Sequence, residues 1–127
     1  MTNKTALTEF DYERLSSLAR AVGRGAKSAA ATNLEDRLRN SLVFKEEVLT
    51  EVFVRMNSVA TLSEIATGEN FIYRLVFPAD ADISAGRISV LSPLGAALLG
   101  RREGETFGYE SPGGTVQMRV EKVLHES

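Results

Sequence analysis

Asp80 and Asp82 lie two residues apart, and neighbouring carboxylates are the residue types that hold a divalent cation through oxygen. Further ligands are lacking nearby, so the pair is read as solvated acids on a turn rather than as a metal site. His125, the single histidine, titrates near neutrality and could relay a proton. It stands near the C-terminus with no positioned partner evident, and is read as a tail residue. The third group is cationic. Residues 14–34 contain no acid, and Arg20, Arg24 and Lys27 fall inside that stretch. Such a run is either a solvated helix face or a basic arm that meets a negative surface. No phosphate-binding loop, dinucleotide motif or nucleophile elbow is present. Cysteine is absent, which excludes disulfides and thiolate metal sites and fits a reducing compartment. These residues point to recognition rather than catalysis, with no cofactor and no bound metal.

The elements that must position them follow from periodicity. Thr8 is a candidate helix cap, with Asp11 three residues on as a capping-box partner. Phe10, Leu15, Leu18 and Val22 recur at helical spacing over residues 8–22. Gly23 and Gly25 interrupt the pattern, and Leu34, Leu38 and Leu42 form a second stripe at four-residue steps. Two short amphipathic stripes joined by a glycine turn predict an antiparallel helical hairpin over residues 1–47. So short a pair must lean on the rest of the protein for stability.

From about residue 48 the period changes to two. Val52, Val54 and Met56 alternate with Phe53 and Arg55, and residues 59–65 continue as a strand. After the turn Thr67-Gly68-Glu69-Asn70, residues 71–77 alternate strongly, with Phe71, Tyr73, Leu75 and Phe77 on one face. A loop over 78–86 leads to a strand at 87–91 with Ile88 and Val90 inward. Ser92-Pro93 starts a short helix: the serine caps free N–H groups, and proline is tolerated at the first helical position. That helix carries Leu94, Ala97, Leu98 and Leu99 and stops at Gly100. Pro112-Gly113-Gly114 marks a hairpin turn between a strand with Phe107 and Tyr109 and a last strand with Val116, Met118 and Val120. Val123 is out of phase with these, which predicts a bulge near Glu121. The fold class is α+β: a helical hairpin, then over residues 48–127 an antiparallel β-sheet domain with one short helix.

Composition bounds the function classes. The 127 residues suit one small domain with an appendage, and 43% apolar content permits a core. A net charge of −2 argues against strong autonomous DNA binding. No apolar run approaches the roughly 20 residues that cross a bilayer, and residues 1–7 lack an apolar signal core. The expectation is a cytoplasmic protein without a membrane partner.

Residues 86–100, Gly-Arg-Ile-Ser-Val-Leu-Ser-Pro-Leu-Gly-Ala-Ala-Leu-Leu-Gly, resemble the signature of the C-terminal domain of Gre transcript-cleavage factors. Met56-Asn57-Ser58-Val59, the run 73–82, Gly104-Glu105 and Pro112-Gly113-Gly114 resemble further blocks of that family in the same order, over about residues 50–124. The wording of these blocks is most similar to the subfamily called regulator of nucleoside diphosphate kinase, whose members resemble Gre factors with a shortened coiled-coil arm. The resemblance implies a fold similar to that of FK506-binding proteins and a polymerase-binding regulator with RNA polymerase as partner. Contact with nucleic acid would be indirect, within the transcription complex. It makes Ser92 and Pro93 contact candidates, together with Leu91, which stands where a polar residue often precedes the pair. Arg20, Arg24 and Lys27 become candidates for a negative polymerase surface. Gre factors stimulate cleavage with acids at the arm tip. Here the equivalent stretch, residues 22–30, has none, so cleavage stimulation is not expected. Two alternatives belong to other classes: a prolyl isomerase, by analogy of fold alone, and a protein that modulates nucleoside diphosphate kinase by direct binding.

Overall fold

The computed structural model describes residues 5–23, 29–44 and 53–125. Helix α1 (Glu9–Gly23) begins where Thr8 Oγ1 accepts the Asp11 backbone N–H at 3.1 Å. Glu9 and Asp11 in its first turn and Arg20 in its last complement the helix dipole. The inward row is Asp11, Leu15 and Ala19, one residue per four. Phe10, expected on that row, is 58% exposed. It lies one step of about 100° round the helix from Asp11, and its ring sits under the Arg14 guanidinium at 4.8 Å. Arg14 also covers Phe77, at 4.3 Å, and so ties the helix to the sheet domain.

Helix α2 (Ala29–Arg39) buries Leu34 and Leu38 against α1. It stops before Leu42, the third residue of the expected stripe, because Ser41 turns the chain by donating its hydroxyl to the Leu38 carbonyl at 2.7 Å. Leu42 lies instead in strand β2 (Ser41–Phe44), which pairs in parallel with strand β1 (Thr5–Thr8). A parallel pair needs a crossover connection, and the helical hairpin supplies it. Periodicity gave no sign of this two-stranded sheet, because each strand has four residues.

The second sheet has five strands: β3 (Ser58–Glu64), β4 (Asn70–Val76), β5 (Arg87–Ser89), β6 (Thr106–Ser111) and β7 (Gly114–His125), in the order β5-β4-β3-β7-β6. Its pairs are antiparallel except β4 with β5, which run parallel. Short 3₁₀ turns at Pro78–Asp80 and Ile83–Ala85 carry the chain between those two. The strand expected over 52–56 is absent from the described part of that range. Phe53 makes a single bridge to Arg102, and the chain turns at 55–58, where Ser58 Oγ accepts the Arg55 N–H and Asn57 takes a positive φ of 71°. Phe53, Val54 and Met56 are all buried, so the apolar residues there serve a core crossing rather than an alternating strand.

The expected bulge is present. Thr61 pairs with Lys122 and Leu62 with Val120, which leaves Glu121 as the extra residue. The bulge turns both Val120 and Val123 inward. The β6–β7 turn falls at the expected Pro112-Gly113-Gly114, with Ser111 opposite Gly114. Helix α3 (Pro93–Leu98) packs inside the sheet, and Leu98 and Leu99 are fully buried. Leu7, Leu15 and Leu34 belong to the same buried cluster as Met56, Leu62, Leu75, Val90 and Leu98. The hairpin therefore rests on the core that supports the sheet, and each such leucine is worth about 1.5–3 kcal/mol.

A candidate docking surface at the entry to helix α3

The segment from Ser89 to Gly100 is fixed by side chains as much as by helix bonds. Ser92 is extended, and its Oγ accepts the Gly95 N–H at 3.0 Å while donating to the Ser89 carbonyl at 2.7 Å. Ser89 Oγ in turn accepts the Leu91 N–H at 3.0 Å. Pro93 sits at the first helical position, where a missing N–H costs nothing. Gly95 is required by space: a Cβ there would lie 2.0 Å from the Ser89 carbonyl oxygen. At the other end Gly100 has φ 80° and donates to the Val54 carbonyl at 2.8 Å. The entry is thus rigid, and Pro93 is presented to solvent on it.

The three residues picked out at this entry differ in exposure. Pro93 is exposed, whereas Ser92 is half-buried and Leu91 packs against the core. Beside Pro93 lies a cavity of about 350 Å³ lined chiefly by apolar residues. Ile88 comes from β5, Leu94 from α3, and Tyr109 and Pro112 from β6 and its turn. The two ends of the sheet order, β5 and β6, meet at this cavity because the sheet curls round α3. Ile83 lines it too and is 67% exposed. Burial raises the pKa of the Tyr109 phenol, with Tyr73 and Glu64 adding to the shift. Sequence reasoning missed Ile83 and the role of Tyr109; an isoleucine between two turns was the available signal.

The remaining sequence candidates lie elsewhere. Arg20 is exposed on α1 and lines a separate cleft of about 560 Å³ with Tyr12, Ser16, Glu35 and Arg39. Arg24 and Lys27 lie outside the described residues. The Asp82 carboxylate caps the second 3₁₀ turn, accepting the Ser84 hydroxyl at 2.6 Å and the Ser84 N–H at 3.2 Å. The Ser84 hydroxyl holds its pKa below the usual range, with Arg87 at 3.7 Å assisting. Asp80 contributes its carbonyl to Arg87 Nε at 2.9 Å. The aspartate pair thus fixes the loop that carries Ile83. His125 pairs through its backbone with Ser58 at the end of β7. Among the described residues no group of three His, Cys, Asp or Glu is arranged to hold a metal ion, and no helix is long and apolar enough to cross a membrane. A rigid, exposed proline beside an apolar cavity can take an apolar side chain from another protein.

The family model for the C-terminal part of transcription elongation factors GreA/GreB matches residues 49–125. A transcription elongation factor GreA of Bacillus cereus is 34% identical over 92 residues, 72% of this chain and 58% of that protein. The GreA of Christiangramia forsetii is 32% identical over 103 residues, 81% of this chain and 65% of its own length. This chain thus spans less than two thirds of these curated relatives. A solved GreA/GreB structure from Nitrosomonas europaea superposes with a TM-score of 0.78 at 31% identity, over 97% of this chain and 99% of that one. Gfh1 of Thermus aquaticus superposes with a TM-score of 0.55 at 26% identity, over 97% and 99%.

Proposed function

This chain belongs to the GreA/GreB family of transcription elongation factors, and on that premise we propose that it docks on RNA polymerase through the entry to α3 without stimulating transcript cleavage. The observation that carries the docking reading is Pro93, exposed on a segment that Ser89, Ser92 and Gly95 hold rigid beside an apolar cavity. In this reading residues 48–127 form the docking domain, with Leu91, Ser92 and Pro93 at the contact. Residues 1–47 form a shortened arm whose Arg20, Arg24 and Lys27 rest against acidic polymerase surface. The protein works in the cytoplasm with the polymerase, is not itself an enzyme, and meets nucleic acid only within the transcription complex. An effect on nucleoside diphosphate kinase, as the subfamily resemblance implies, would follow indirectly from transcription.

Lack of cleavage stimulation follows from charge. Assistance at the polymerase centre requires carboxylate oxygens beside magnesium. Residues 14–34 supply cations and no acid. The test is a cleavage assay on a backtracked complex, with and without a cleavage-stimulating Gre factor, alongside a pull-down with purified core polymerase. The protein is expected to bind core, to cause no cleavage alone, and to suppress cleavage by the Gre factor as its concentration rises. Cleavage by the protein alone would refute the second half of the proposal, and failure to bind core would refute the first.

A further inference from the structure

Arg37 of α2 meets the C-terminal end of α3, where its charge is only partly offset. One terminal nitrogen donates to the Leu99 carbonyl, a neutral partner. Its Nε is buried and has no hydrogen-bond partner. Arg101 opposes its charge, and Glu105 is already drawn to Arg101 at 3.6 Å. Burial first, and Arg101 next, lower the Arg37 pKa to about 10, with Glu105 offsetting part of the shift. A desolvated cation is costly unless an anion faces it.

Arg37 and Arg101 both line a cavity of about 610 Å³ between α2, α3 and the β6–β7 hairpin. Pro93, Tyr109 and Glu110 line this cavity and also the apolar one described above, so the two are neighbours. We propose that the Arg37–Arg101 cavity receives one carboxylate side chain of the docked partner, an Asp or Glu on the surface whose apolar side chain enters the neighbouring cavity. This rests on the docking reading and names the chemistry of the partner: an apolar residue with an acid close by.

The charges of the lining select a single carboxylate over a phosphate chain. Asp36 and Glu110 share the cavity with the two arginines. Asp36 is held by Arg39 at 3.2 Å, and Glu110 accepts the Thr115 hydroxyl at 2.5 Å. Two acids beside two arginines repel a polyanion, while a single carboxylate placed between the two guanidinium groups balances their charge without adding an excess.

The test measures the affinity of the full chain for core RNA polymerase across a salt series. Variants are Arg37→Met, Arg37→Lys and the pair Ile83→Ser with Pro93→Ala. Arg37→Met is expected to weaken binding about tenfold and to flatten the salt dependence, because a charge pair screened over about 8 Å is lost. Arg37→Lys keeps the charge on a shorter, differently placed donor and falls between. The Ile83/Pro93 pair weakens binding but keeps the salt slope. Melting curves are recorded beside each, and if Arg37→Met does not fold, Arg37→Lys carries the comparison. Unchanged affinity and salt slope in both Arg37 variants, with the Ile83/Pro93 pair weakened, would overturn the carboxylate site and leave the docking reading standing. Failure of the unmodified chain to bind would overturn both. Binding of a single-stranded oligonucleotide that Arg37→Met abolishes would replace the carboxylate by phosphate and overturn the proposal.

Discussion

Asp11 should be worth more to stability than any other acid on α1, and the amount follows from its surroundings. It is 5% exposed, and one carboxylate oxygen accepts the N–H of Met56 at 2.9 Å, across a sequence separation of 45 residues. Replacing it by alanine removes a charge-assisted hydrogen bond and strands a buried N–H, about 1.5–3 kcal/mol. It also removes a negative charge from the first turn of a helix, about 0.3–1 kcal/mol. The sum is roughly 2–4 kcal/mol, which for a chain of this size lowers the melting temperature by on the order of 10 °C. Asp11→Asn keeps an acceptor and loses only charge, so it should cost about 1 kcal/mol. Glu13→Ala, on the exposed face of the same helix, should stay within about 0.5 kcal/mol. Urea denaturation of the three variants tests the ranking. If Asp11→Ala unfolds at the same midpoint as Glu13→Ala, the tie between hairpin and sheet domain does not carry the energy assigned to it.

Gly95→Ala forces a methyl carbon to within 2.0 Å of the Ser89 carbonyl oxygen, so it should cost about 1–3 kcal/mol or more and weaken core polymerase binding in parallel. An unaltered melting curve would show that the α3 entry is looser than its geometry implies. Ile83→Ser with Pro93→Ala should reduce polymerase affinity while the melting temperature stays nearly constant, because both residues are exposed. Leu91→Lys is a poorer probe of the same surface, since Leu91 packs on the core and a loss of binding would mix docking with stability.

Features set by neighbours in sequence are legible in the sequence itself. The Ser92 cap, the stop at Gly100 and the Pro112-Gly113-Gly114 turn depend on residues a few positions apart. The slip in phase between Val120 and Val123 located the bulge at Glu121, because side-chain alternation has a period of two. What escaped the reading depends on distant partners. Phe53 stands among alternating residues, yet its backbone forms an isolated bridge to Arg102 rather than part of a ladder. Phe10 fits a helical stripe, yet the inward row runs through Asp11, because that carboxylate has a partner in Met56. At the candidate surface the rigid Ser92-Pro93 entry was legible, but the cavity beside it needs β5 and β6, opposite ends of the sheet order, to meet. Arg37 did carry a local signal. It lies three residues after Leu34 and beside Leu38, on the flank of the buried stripe, where a cation needs an explanation.

The same distant contacts govern what the hairpin can do. A pair of helices this short is marginal alone, since most helical stability comes from packing. Here the base is fixed by Leu15 and Leu34 in the common core, by Asp11 on Met56, by Arg14 between Phe10 and Phe77, and by Arg37 on Leu99. The 15 residues of α1 span about 22 Å at 1.5 Å per residue. Its inward row is buried through Ala19, and Arg20 next to it is exposed. The base of the hairpin is thereby tied to the sheet domain, and Arg20 is carried on it as an exposed cation. A docked domain and its arm would then present one joined surface to the polymerase: an apolar anchor at Pro93 and a positive flank.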